Sequence, residues 1–125
     1  MKKSMHRLPD AELEVMQALW QCKAPASRAD IEQKLDPAHP MAATTLLTLL
    51  GRLADRVFAA VQKEGRRSLF TPLEEQKDYQ AAQSGSFVQK LFGGSMTAFA
   101  AALCSSGLSR EDLDELRELL EKGEL

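Results

Sequence analysis

Ala42-Ala43-Thr44-Thr45-Leu46-Leu47-Thr48-Leu49-Leu50-Gly51-Arg52-Leu53, running on through Val57–Val61, Lys63-Glu64-Gly65-Arg66 and Ser68–Thr71, is the stretch that decides the fold. Leu46, Leu49, Leu50 and Leu53 recur at i, i+3, i+4 and i+7, the spacing of one buried face of a helix beginning at about Met41 or Ala42. Turning about 100° per residue away from that stripe brings Thr44, Thr45, Thr48, Arg52 and Asp55 to the solvent side. Gly51 falls there too, at roughly 1 kcal/mol relative to alanine inside a helix. Val57-Phe58-Ala59-Ala60-Val61 is rich in strand-favouring types, and Gly65 suits the positive φ of a turn. Ser68-Leu69-Phe70-Thr71 then returns as a second strand stopped by Pro72. The hairpin tip sets Lys63, Arg66 and Arg67 against Glu64.

Upstream, Asp10 after Pro9 reads as an N-cap, with Glu12 and Glu14 in a first turn where the helix dipole favours negative charge. Leu13, Met16 and Trp20, with Val15 and Leu19 beside them, give this helix a wide apolar face through about Cys22. Lys23-Ala24-Pro25-Ala26 breaks it. Ser27 followed by Asp30 is a capping box with the shorter acid, opening a short helix that carries Ile31 and Leu35. Asp36-Pro37-Ala38-His39-Pro40 is a turn too rigid to be helical.

Beyond Pro72 the pattern is helical throughout. Glu74 to Phe92 reads as one helix with Tyr79, Ala82, Phe87, Leu91 and Phe92 on it, weakened at Ser84-Gly85-Ser86 and ended by Gly93-Gly94. Ser95 caps a short helix bearing Met96, Phe99, Ala100 and Leu103. Ser109 with Asp112 forms a second capping box, with Leu108 and Leu113 as its hydrophobic staple, ahead of a last helix striped by Leu113, Leu116 and Leu120. The expected fold is mainly α with a small β-hairpin: an N-terminal winged helix-turn-helix over residues 1–72 and a C-terminal three-helix segment over 73–125. A segment of about fifty residues with rich apolar faces buries little surface alone. Phe87, Leu91, Phe92, Met96, Phe99, Leu103, Leu113, Leu116 and Leu120 are therefore expected to meet a second copy of the chain, the commonest arrangement among oligomers.

The 125 residues carry a net charge of −2, which hides an asymmetry. Residues 1–72 hold eleven Lys/Arg against eight Asp/Glu, a net +3, while residues 73–125 hold five against ten, a net −5. A basic front half suits a polyanion. Cys22 and Cys104 have no second Cys or His at metal-ligand spacing, so both are expected as buried reduced thiols and no metal or other cofactor is expected. Met1-Lys2-Lys3 leads to Asp10 and Glu12 before any apolar run of signal-peptide length. No apolar stretch approaches the ~20 residues that span a bilayer, so a cytoplasmic protein without membrane contact is expected. No catalytic constellation assembles either. His6 and His39 lie at the start and in a proline turn, the serines sit at breaks and caps, and Gly93-Gly94 lacks the Lys-Thr or Lys-Ser of a phosphate loop.

Two short helices, a proline turn, a third helix with a polar face and a basic hairpin match a module whose third helix meets base edges in the major groove. On that reading Thr44, Thr45, Thr48 and Arg52 face DNA, and Lys63, Arg66 and Arg67 grip phosphate. The alternative is a winged helix used only for protein contacts, without DNA binding.

Pro9-Asp10-Ala11-Glu12-Leu13-Glu14-Val15-Met16 with Trp20, Thr45-x-x-Thr48-Leu49-Leu50-x-Arg52-Leu53, Lys63-Glu64-Gly65-Arg66 and Phe70-Thr71-Pro72 resemble the penicillinase-repressor family, the BlaI/MecI/CopY group. The resemblance continues through Ser86-Phe87, Gly93-Gly94 and Leu108-Ser109 to Glu115-Leu116, and so covers nearly the whole chain. It implies a homodimeric transcriptional repressor. The winged helix would bind a palindromic operator in double-stranded DNA and the helical segment would interlock with its partner. Carried over by position, Thr45 and Thr48 occupy the threonines of the family's recognition helix and Arg52 its basic position, while Thr44 stands where relatives often place Lys. Copper-responsive members carry a C-terminal cysteine cluster, and this sequence has no cysteine after Cys104. The antibiotic-resistance branch implies a further partner, a sensor protease cutting an Asn-Phe bond. The matching positions are Ala101 and Ala102, so that motif is not preserved.

Overall fold

The computed structural model describes residues 6–123, and Met1-Lys2-Lys3 lies outside them. In chain order the elements are α1 (Asp10–Trp20), β1 (Ala26–Ser27), α2 (Arg28–Lys34), α3 (Ala43–Asp55), β2 (Ala59–Glu64), β3 (Arg67–Pro72), α4 (Gln76–Phe92), α5 (Met96–Ser105) and α6 (Arg110–Lys122). The three strands form one antiparallel sheet in the order β1-β3-β2. The fold is mainly α with a small sheet, as the sequence led us to expect. Compact packing divides the chain into two units, one through Gln83 and one from Ser84.

In the first unit the leucine stripe does what its spacing requires. Leu46, Leu49, Leu50 and Leu53 of α3 are buried with Val15, Met16 and Leu19 of α1, Ile31 of α2, Phe58 and Phe70. Full burial of each such side chain is worth about 1.5–3 kcal/mol, so this contact, and not helix propensity, holds α3 in place. Tyr79, at the start of α4, closes the same core. Its ring lies 5.8 Å from those of both Trp20 and Phe58, and its hydroxyl accepts from the Leu8 backbone N–H at 2.8 Å. Trp20 Nε1 donates to the Glu74 carbonyl at 2.8 Å. These bonds carry the first unit beyond Pro72 and through Gln83.

Several local expectations are corrected. Asp10 is the first helical residue and Pro9 the N-cap, with no side-chain cap bond; the Asp10 carboxylate instead meets Arg7 at 3.2 Å. The first wing strand begins at Ala59, not Val57, and runs to Glu64, because it pairs residue for residue with Arg67–Pro72. Val57 is displaced from it at φ +64°. Ala26, read as part of the break after α1, and Ser27, read as the cap of α2, also form a short strand paired with Phe70 and Leu69. The single helix expected from Glu74 to Phe92 begins at Gln76 and runs through Ser84-Gly85-Ser86 as expected. The capping boxes at Ser27/Asp30 and Ser109/Asp112 are both formed, and Ser95 caps α5.

The second unit has a different character. Among its described residues no side chain is fully buried. Phe92 sits between Phe87 and Phe99, with ring centroids 5.9 and 5.5 Å away. Phe92, Phe99, Leu103, Leu113 and Leu116 are half-buried, while Phe87, Leu91, Met96 and Leu120 are each more than half exposed. Among the described residues no single helix is long and apolar enough to cross a membrane.

Candidate nucleic-acid interface

The candidate interface is built on α3 and the hairpin that follows it. Because the leucine stripe is fixed against α1, the opposite side of α3 is exposed: Thr44, Thr45, Thr48, Gly51, Arg52 and Asp55 all lie in solvent. Leu47, which the stripe analysis passed over, is exposed as well. It sits about 100° from Leu46 on the helical wheel, so simple angular bookkeeping was enough to find it. Thr48 Oγ1 donates to the Thr44 carbonyl at 3.0 Å, which commits its hydroxyl proton to the helix and leaves its lone pairs and methyl group free. Arg52 lies in the last turn, where the helix dipole favours a cation.

The turn out of α3 aims the wing. Arg56 is the C-cap; the Val57 N–H returns to the Ala54 carbonyl at 3.0 Å and the Phe58 N–H to the Leu53 carbonyl at 2.9 Å. This is the Schellman pattern, with Val57 in the left-handed position that glycine usually fills. Phe58 is thereby driven into the core, and its carbonyl accepts from the Leu73 N–H at 2.8 Å, which ties the two ends of the hairpin together.

An ion pair that the sequence did not reveal locks α3 from the other side. Glu12, in the first turn of α1, is almost wholly buried, and its Oε1 accepts from Arg56 Nε at 2.7 Å. The two residues are far apart in sequence, and no local pattern links them.

The wing cations are not equivalent. Lys63 is the penultimate residue of β2, Arg66 sits in the turn and Arg67 opens β3. Arg67 is held by Glu64 at 3.0 Å, its cross-strand partner. Among the described residues Lys63, Arg66 and Arg52 have no carboxylate within ion-pair reach. Arg67 also stands near Asp30. That carboxyl is held below its ordinary range first by hydrogen bonds with the Ser27 backbone and side chain, and further by the Arg67 charge.

The remaining expected groups fall elsewhere. His39 Nδ1 lies 3.1 Å from Glu14 and 3.5 Å from Asp36, in the turn before α3. Cys22 is only half-buried, with Sγ 3.4 Å from the Ala18 carbonyl; burial, then the Asp30 charge, pushes its thiol pKa up. Cys104 corrects the expectation of a buried thiol: it is exposed on α5. Ala101 and Ala102 are exposed on the same helix. Among the described residues no group of His, Cys, Asp and Glu is arranged to hold a metal ion.

Comparison with known proteins fits this geometry. The family model described as penicillinase repressor matches residues 8–122. The penicillinase repressor of Bacillus licheniformis is 28% identical over 96% of this chain and 94% of its own length. The methicillin resistance regulatory protein MecI of Staphylococcus aureus (strain N315) is 26% identical over 98% of this chain and 99% of its own. Among solved structures, that of the DNA-binding domain of the repressor BlaI matches with a TM-score of 0.51 and 29% identity, over 62% of this chain and 94% of that one. With a family match spanning both units, and a fold match to a repressor's DNA-binding domain, the chain belongs to the penicillinase repressor family, a family of transcriptional repressors and not of enzymes.

Proposed function

We propose that the chain is a homodimeric DNA-binding repressor in which α3 enters the major groove of an operator and the β2–β3 wing lies along the phosphates. The observation that carries this reading is the division of α3. Leu46, Leu49, Leu50 and Leu53 are consumed by the core while Thr44, Thr45, Thr48 and Arg52 stay exposed, ahead of a hairpin whose Lys63 and Arg66 have no carboxylate within ion-pair reach among the described residues. Relatives named as repressors, and the named DNA-binding domain, support it. Phosphate contact supplies sequence-independent affinity, and side chains on the helix supply discrimination.

The dimer rests on the second unit. Exposed Phe87, Leu91, Met96 and Leu120, with Phe92, Phe99, Leu103, Leu113 and Leu116 half-covered beside them, form an apolar surface that a second copy would bury. Two copies related by a two-fold axis present two α3 helices, which a palindromic operator matches. The protein would then act in the cytoplasm beside its DNA. A sensor protease cutting between Ala101 and Ala102 remains part of the reading only through the exposed position of those residues on α5.

A gel-shift series with the DNA upstream of the chain's own gene tests the proposal. A retarded band that survives excess unrelated duplex is expected. No shift at low salt by a folded dimer would overturn it and favour a protein-docking winged helix.

A further inference from the structure

Between Ala43 and Gly51 the sequence of α3 contains no amide, no carboxylate and no cation. The side-chain forks that read guanine and adenine in the major groove are therefore absent from its first two turns. With Leu46, Leu49 and Leu50 buried, what this part of the helix offers to solvent is Ala43, Thr44, Thr45, Leu47, Thr48 and Gly51. Leu47 is the largest of these, and it stays 47% exposed. Its neighbours one turn away are Ala43 and Gly51, and a Cβ built on Gly51 meets nothing within 4 Å. The ridge around Leu47 is thus apolar and low, so a flat surface can approach it closely. In the major groove one base alone carries an apolar group, the C5-methyl of thymine.

We propose that Leu47 is a specificity-determining residue that seats against the C5-methyl of a thymine in each operator half-site. The proposal rests on the DNA-binding reading above and adds to it the base that α3 selects. Thr44 and Thr48 flank the contact; with its hydroxyl proton given to the Thr44 carbonyl, Thr48 retains acceptor capacity and a methyl group. Covering one methyl group is worth about a fourfold change in affinity.

The test uses the full chain and duplex sites enriched from a random-sequence library. Each thymine of the enriched half-site is replaced singly by uracil, which removes the C5-methyl and keeps every hydrogen-bonding group. One thymine is expected at which uracil weakens binding about fourfold, and Leu47→Ala is expected to abolish that penalty while leaving thermal unfolding unchanged, because the side chain is exposed. If no thymine is sensitive, or if the penalty is equal in both proteins, the assignment to Leu47 is overturned and DNA binding stands. Failure to enrich any duplex overturns the DNA-binding reading itself.

Discussion

Val57 holds a φ of +64°, a left-handed conformation that costs a β-branched residue about 1–3 kcal/mol. The Schellman turn at the end of α3 requires it there. Val57→Gly should stabilise the first unit by about 1 kcal/mol, after allowing for the greater freedom of glycine in the unfolded chain. Urea denaturation would read this as a higher midpoint at unchanged slope, and an equal or lower midpoint would show that the turn is not strained. Charge on the wing can be separated in the same residue-by-residue way. Glu64 neutralises Arg67 at 3.0 Å, an exposed pair worth about 0–1 kcal/mol. Glu64→Gln should release that guanidinium and tighten binding to every duplex alike by up to about fivefold. Arg66→Ala should weaken all duplexes alike. A change in sequence preference from either variant would mean that the hairpin reads bases.

Between the elements, two polar links set where α3 and α2 lie. Arg56 fastens the end of α3 to buried Glu12. Removing the partly exposed arginine strands a buried carboxylate, whereas removing the glutamate leaves a cation that water can reach. Arg56→Ala should therefore cost more, about 2–4 kcal/mol, than Glu12→Gln in the same denaturation experiment. At the start of α2, Ser27→Ala should cost about 1 kcal/mol as a lost N-cap. Asp30 closes that capping box with a pKa lowered by its bonds to Ser27. Its contribution is complete above the ordinary aspartate range and is lost as pH falls through the lowered value, so Asp30→Asn should flatten the acid limb of the stability profile. Each side-chain cap that forms was legible in the sequence because capping is local, Ser27 with Asp30, Ser95, and Ser109 with Asp112, whereas Asp10, read the same way, does not cap α1. The leucine stripe of α3 was legible too, since one face against one core is a periodic signal. Pairing of Ala26-Ser27 with Phe70 and Leu69 was hidden because it depends on a strand distant in the chain. The Glu12–Arg56 bond was hidden for the same reason. The start of β2 was misplaced because Val57 looks like a strand residue while the turn needs a left-handed one. The single helix over α4 was legible despite Ser84-Gly85-Ser86, the weakness of three residues being small beside a helix of 17.

Taken whole, the chain couples a unit with a closed core to one with an open apolar surface, and basic sequence to acidic sequence. The exposure of Thr44, Thr45, Thr48 and Arg52 was legible in the helical spacing, and that of Leu47 followed from the same spacing though it was passed over. The sequence marked Phe87, Leu91, Met96 and Leu120 as apolar faces and the structure leaves them exposed; the cover proposed for them, a second copy of the chain, is a complement that one chain does not contain. Sedimentation at micromolar concentration should give a dimer, and Leu91→Glu combined with Met96→Glu should shift it toward monomer; a wild-type monomer would contradict the role given to the second unit. The central claim, that α3 and the wing together grip duplex DNA, is tested most directly by the salt dependence of binding to an enriched site, measured by fluorescence anisotropy. The account predicts that log K falls linearly with log salt concentration, and that Arg66→Ala reduces the slope by about one. A slope near zero, or one that Arg66→Ala leaves untouched, would contradict it.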